Sequence, residues 1–424
     1  MIDLEKLINE NKDVTGYRIS TIKEESFQLF FVHKSLETVR NNDTKSVYVT
    51  IYVAHDDFMG ESEFRVYQAY TEDEIREKIA SAVSKAKLIN NEKFDLVGKE
   101  VANYESDSNF EEYSLEELAK LTSEAVYKAD SYKDGSINAL EIFITKIKRN
   151  IVNSNGLNKT EVKYDAMVEA IPTWNGKRES VELYEQYHFN EFDAEKITAE
   201  IDDKMKAVHA RYDATKIDNI NGVNVLLRPE EIGTLLSEFL GDLNYSSVYF
   251  KSNKNSIGSN LQEGANGDLL NVSMVARVKG AVDSSYFDYN GTTLKDVNLI
   301  ENGIVKANWG NNKFAQYLNT EPTGSLKIAK LEGGNKTIDE LKKEPYLEVV
   351  SMSGIQVDLL SDYIGGEIRL GYYYDGNSVR PVTGISISGS LNAVLNDMYL
   401  SKECDQSGAY FGPKIAMFKG FNIQ

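Results

Sequence analysis

Two apolar runs joined by an Asp-Gly turn constrain this chain most: Gly366–Tyr374 (GEIRLGYYY) and Val379–Val382, with Asp375-Gly376-Asn377 between them. Asp-Gly supplies the positive φ that a tight hairpin needs, so the runs read as neighbouring antiparallel strands. Glu301-Asn302-Gly303 makes the same junction between Val297–Glu301 and Gly303–Ala307. Ser46–Ala54 (SVYVTIYVA) alternates β-branched and aromatic residues with the period of a pleated strand. Tyr17–Ile22, Phe27–His33, Glu63–Tyr70, Ser136–Thr145, Lys146–Val152, Thr160–Ala170 and Ser180–His188 read as further strands in the first half. Val223–Leu227, Tyr245–Phe250, Leu269–Val278, Pro345–Met352, Ile355–Leu360 and Ile385–Gly389 read as extended pieces in the second.

Amphipathic helices interrupt these strands. Ile2–Ile8 forms a short one. Thr71 caps a helix with Asp73 and Glu74 in its first turn, and Ile75, Ile79, Val83 and Ala86 trace its core side. A capping box of Ser114 and Glu117 begins another over Tyr113–Tyr132, with Leu118, Leu121, Ala125 and Ala129 inward, and Asp193–Ala214 aligns Ile197, Ile201, Met205 and Val208. The clearest helix is Arg228–Asp242 (RPEEIGTLLSEFLGD). Pro229 suits a first helical position, and Glu230 and Glu231 place negative charge at the positive end of the helix dipole. Ile232, Leu235, Leu236, Phe239 and Leu240 form one apolar face; Thr234, Ser237 and Glu238 lie opposite, and Gly241 closes the helix. A further helix is expected over Ser390–Leu400.

A chain of 424 residues exceeds what one core usually organises. After Thr215 the sequence turns to glycine, asparagine and short strands, so the expected architecture is α+β: two domains rich in antiparallel sheet with long amphipathic helices, over 1–214 and 215–424. Apolar runs such as Phe27–Val32 and Val47–Ala54 are far shorter than the about 20 residues of a membrane-spanning helix, and Met1–Asp13 lacks the apolar core of a secretory signal. The single cysteine, Cys404, forms no intrachain disulfide, which fits the cytoplasm. A net charge of −19 with no basic block argues against direct nucleic-acid binding. The sequence carries no P-loop, no G-x-S-x-G elbow and no dinucleotide fingerprint.

The Pro229 helix resembles that of the TldD/TldE (PmbA) family, where the TldD branch carries HExxxH at this place. Here the window reads Ser237-Glu238-Phe239-Leu240-Gly241-Asp242, so Ser237 and Asp242 stand where the two histidines would be. Near the end, Gly408–Lys414 resembles the glycine-rich turn that in the TldD branch holds a zinc-binding cysteine, with Phe411 at that position. The Asn153-Ser154-Asn155-Gly156 turn after a strand, the long helix before the proline-led one, the LIENGIV hairpin and Pro381-Val382 extend the resemblance over nearly the whole chain. It is to the TldE (PmbA) branch, which lacks the zinc ligands.

The resemblance implies a metal-free, non-catalytic subunit, without a cofactor of its own, that pairs with a TldD-like zinc protease subunit, or with itself when alone, and helps enclose unfolded peptide substrates. Ser237, Glu238, Asp242 and Phe411 are then degenerate motif positions. The family's gyrase-modulator label fits an indirect effect, through proteolysis, better than DNA contact by so acidic a chain. Gly366–Tyr374 is the candidate edge strand for adding an extended peptide, and the 25 tyrosines suit either a peptide groove or pleated sheet. The alternative is a stand-alone metal-dependent peptidase using Glu238 and Asp242, or Cys404 with a distant histidine. Carboxylates alone favour harder cations, and His33, His55, His188 and His209 show no zinc-type spacing.

Overall fold

The computed structural model describes residues 2–217, 220 and 222–424. Its fold is α+β, with three antiparallel-rich sheets and helices packed on them. Helix α1 (Leu4–Asn9) is followed by strands β1 (Gly16–Val32), β2 (Ser35–His55) and β3 (Phe58–Val66), helix α2 (Glu72–Ala86), and the short strands β4 (Asn91–Glu92) and β5 (Val101–Tyr104). Helix α3 (Leu115–Ala129), strands β6 (Gly135–Asn153), β7 (Asn158–Trp174), β8 (Val181–Glu182) and β9 (Glu185–Phe189), and helix α4 (Ala194–Asp213) complete the first half. These nine strands form one sheet in the order β4-β3-β2-β1-β6-β7-β5, with β8 and β9 pairing to β7.

Pairs of strands expected from the sequence merge. Tyr17–Ile22 and Phe27–His33 are one strand, because Lys23–Ser26 keep their backbone paired to β2 on one side and β6 on the other while Lys23 and Glu25 pair with each other at 2.7 Å. Charge interrupts the apolar pattern without interrupting the hydrogen-bond ladder. Likewise Ser136–Thr145 and Lys146–Val152 are both β6.

Alternation assigns the two faces of this sheet. Tyr17, Ile19, Phe27 and Leu29 of β1 share one face, and the helices cover it. Ile75, Ile79, Ala82, Val83 and Ala86 of α2 pack at one end, and α3 and α4 pack at the other. Thr71 caps α2 and forms a full capping box with Glu74; at α3 only the Ser114 half of the expected box forms, its hydroxyl accepting from Glu117 N–H, and Thr122 and Val126, not Leu121, are buried.

Strand β10 (Asn224–Leu227) and helix α5 (Pro229–Asp242) open the second half. An eight-stranded sheet contains β10 between Ala416–Phe418 and Tyr346–Asp358, and a six-stranded sheet contains Val272–Val275, Val297–Glu301, Ile328–Leu331 and the hairpin Cys404–Ser407/Tyr410–Pro413. The apolar face of α5 is buried between them, with Val225, Leu347 and Ile364 from one sheet and Val272, Leu299 and Leu331 from the other in a single core. Both hairpins expected from glycine turns form. Asn302 and Gly303 take φ of 49° and 73°, the twist-matched two-residue turn, and Asp375 Oδ1 accepts the N–H groups of Asn377 and Ser378.

Four expectations are corrected. Gly366–Tyr374 is no edge: it lies inside Tyr363–Tyr374, paired to Tyr346–Asp358 on one side and to Val379–Val382 and Ile385–Ser390 on the other, so its backbone is engaged. Pro345–Met352 and Ile355–Leu360 are one bulged strand, Tyr346–Asp358. Tyr245–Phe250 is a short helix, Tyr245–Tyr249, because Asn244 caps it by accepting from Ser246 N–H. Ser390–Leu400 is helical only over Leu391–Asn396, after which Met398–Leu400 pairs with Ala416–Phe418.

Candidate functional site

Helix α5 places the motif positions as its sequence dictates. Ile232, Leu235, Leu236, Phe239 and Leu240 are buried, and Thr234, Ser237 and Glu238 are exposed. Ser237 Oγ turns back to donate to the Thr234 carbonyl at 2.7 Å. Asp242 is held by the following loop: Oδ1 accepts from Lys254 N–H, and Oδ2 accepts from the Asn255 N–H and side-chain amide, both at 2.9 Å. The C-terminal hairpin packs against α5, since a Cβ on Gly233 would stand 3.4 Å from that of Tyr410. Phe411 is next to Tyr410, half-buried, and pairs with Gln406. Cys404 lies opposite Pro413 in the same hairpin; burial, Glu403 and Asp405 push its thiol up, away from the thiolate a metal needs.

The histidines stand apart. His33 is in the β1–β2 turn, and His55 Nε2 meets the Ile89 carbonyl at 3.0 Å. His188 Nδ1 faces Asp165 at 3.2 Å, which raises its pKa, and His209 stacks on Trp174 with ring centroids 3.9 Å apart. Among the described residues, no three or more His, Cys, Asp or Glu side chains converge as a metal would require.

What the sequence did not disclose is a charged cluster at the start of α5. Arg228 reaches Glu348 at 3.0 Å and Asp203 of α4 at 3.2 Å, and Lys342 holds the other Glu348 oxygen at 2.7 Å. Lys204 of α4 pairs with Glu185 at 3.0 Å. Glu231 is 5% exposed beside this cluster. Burial pushes its carboxyl up to about 7; Glu230 adds to the rise, while its own backbone N–H, Arg228 and Lys204 oppose it.

The folded chain therefore holds a proton on Glu231 that the unfolded chain releases near its ordinary value of 4.5. Stability falls as pH rises from about 4.5 to about 7, by up to about 3 kcal/mol from this group. Glu231→Gln is expected to flatten that slope and to stabilise the fold at pH 8 by about 1–3 kcal/mol, read from urea unfolding at several pH values. Glu185 and Glu200, also pushed up by burial, leave a residual slope of the same sign.

Residues 221–424 match the family model for the PmbA/TldA metallopeptidase C-terminal domain. The second half of the chain is therefore a C-terminal domain of the PmbA/TldD family. A zinc metalloprotease TldD homolog of Saccharolobus solfataricus is 25% identical over 210 residues, which span 44% of this chain and 45% of that protein. TldE from Thermococcus kodakarensis superposes with a TM-score of 0.81 at 15% identity, covering 99% of both chains. A candidate modulator of a DNA gyrase from Thermotoga maritima superposes at 0.78 with 19% identity, covering 99% of this chain and 98% of the other. These two likenesses establish a shared TldD/TldE-type fold. That fold accounts for the helix–hairpin contact of α5 with Tyr410–Pro413, which joins the two motif segments from opposite ends of the second half. Among the described residues no helix is long and apolar enough to cross a membrane.

Proposed function

We propose that this chain is a TldE-like, non-catalytic subunit of a TldD/TldE-type metalloprotease complex. It contributes interface and substrate channel for unfolded peptides, while zinc and hydrolysis belong to a TldD-like partner. The observation that carries this reading is the state of the three motif positions. Ser237 offers a hydroxyl already turned to the helix backbone, Asp242 a carboxylate committed to three hydrogen bonds from Lys254 and Asn255, and Phe411 no donor at all. Such a set does not fit zinc, which takes imidazole, thiolate or free carboxylate. Glu238 is exposed, and without a metal-bound water it has nothing to activate.

A cytoplasmic setting accords with a lone Cys404 that is exposed and unactivated. Two-fold pairing, with a TldD-like chain or a second copy, is the commonest way such subunits assemble. The gyrase-modulator description of a relative reaches this chain as an indirect effect, through proteolysis, because a charge of −19 repels DNA. The test is hydrolysis of an unfolded polypeptide by this chain alone and by its mixture with a TldD-like protein bearing an intact HExxxH. Activity only in the mixture supports the subunit role; activity of this chain alone overturns it.

A further inference from the structure

The face of the first sheet opposite its helices carries a second site. Register brings Arg18, Thr50 and Glu63 into one cross-strand row and sets Tyr52 beside Glu61 in the next. The Tyr289–Asn290 turn and the segment Asn311–Phe314 from the second half close over this row, leaving a cavity of about 430 Å³.

Its charges are internally paired. Arg18 reaches Glu63 at 3.2 Å and stacks over the Tyr289 ring at 3.8 Å, and Lys313 reaches Glu61 at 3.0 Å. Each cation already has a carboxylate partner, and the guanidinium N–H left without an acceptor, Arg18 Nε, is itself buried, so an anionic ligand would have to displace a carboxylate.

What remains open is neutral hydrogen-bonding capacity. Tyr52 is only 2% exposed and lines the cavity, yet among the described residues its hydroxyl makes no hydrogen bond. Arg18, Glu61, Tyr289 and Glu63, which line the same cavity, are the charged and phenolic groups that act on that hydroxyl. Glu63 Oε2 accepts from Arg18, Thr50 and Tyr289, while its Oε1 accepts from no described residue. The Asn290 amide N–H₂ and the Ser62 hydroxyl are likewise without partners among the described residues. Phe94 stands edge-on to Tyr52, with ring centroids 6.0 Å apart, as an apolar wall.

We infer that this cavity between the two halves binds an uncharged, polyhydroxylated ring such as a sugar. Hydroxyls that both donate and accept match a lining of phenol, carboxamide, serine and spare carboxylate oxygen. The Phe94 ring in the lining provides apolar surface for the ring's C–H face. The Tyr52 hydroxyl has no protein partner among the described residues, and a ligand hydroxyl would supply one. This inference stands on the cavity alone and does not depend on the subunit reading.

Ligand-observed saturation-transfer NMR with N-acetylglucosamine, on the full chain, tests it. Transfer is expected at millimolar sugar, with affinity about five-fold weaker in Tyr52→Phe, the loss of one neutral hydrogen bond. The variant should fold as the parent does, because its missing oxygen bonds nothing in the protein; Ser62→Ala gives an independent second loss. No transfer to the parent chain, transfer to both variants as strong as to the parent, or displacement of the sugar by a capped trialanine peptide at lower concentration would overturn it.

Discussion

Glu161→Ala is expected to destabilise the fold by about 3–5 kcal/mol, measured as a shift in urea or thermal unfolding. Glu161 on β7 is 2% exposed and faces the second half of the chain. It takes a 2.7 Å contact from Arg149 of β6, accepts from the Ser285 hydroxyl at 3.0 Å, and accepts from Tyr286 N–H at 3.0 Å. Alanine leaves a guanidinium that is only 21% exposed without its carboxylate, and leaves the Tyr286 N–H with no acceptor. The double variant Arg149→Met, Glu161→Leu should cost clearly less than Glu161→Ala, because the penalty comes from an uncompensated charge and not from the absence of the pair. Equal losses would show that the contact holds the halves together through packing alone. The neighbouring Ile151, Leu157 and Phe287 cluster and the Tyr104–Tyr286 stack supply that packing.

Arg228→Ala is the second large effect, about 3 kcal/mol. Arg228 precedes α5 and makes no cap of its own; its side chain ties Glu348 of the central strand to Asp203 of α4. Glu348 is 6% exposed on its side chain and would keep Lys342 alone. Lysine in place of arginine recovers only part of the loss, since an ammonium cannot reproduce the fork that directs Nε–H to Glu348 and an Nη1–H to Asp203. Arg228→Lys should therefore unfold between the parent chain and Arg228→Ala.

The two predictions fall on features the sequence concealed. The buried face of α5, the Thr71 cap and the turns at Asn302-Gly303 and Asp375-Gly376 were legible because each depends on residues a few positions apart. Glu231 was not: a carboxylate in a first helical turn reads as solvated, and its burial comes from the packing of α5 against segments distant in sequence. Strand continuity through Lys23–Ser26 failed to show because pairing partners, not composition, sustain a ladder. Gly366–Tyr374 looked like an edge because its hairpin partner is local and its other neighbour, Tyr346–Asp358, is not adjacent to the turn. The motif positions Ser237, Glu238, Asp242 and Phe411 were readable as residue types. That Asp242 is committed to Lys254 and Asn255 required the folded loop.

The most direct measurement is zinc content together with hydrolysis of an unfolded polypeptide, for this chain purified without chelator, alone and mixed with a TldD-like protein carrying intact HExxxH. The account predicts far less than one zinc per chain and no cleavage alone, with cleavage in the mixture. One zinc per chain and cleavage by this protein alone would contradict it, and would mean that Ser237, Asp242 and Phe411 do not mark lost ligand positions.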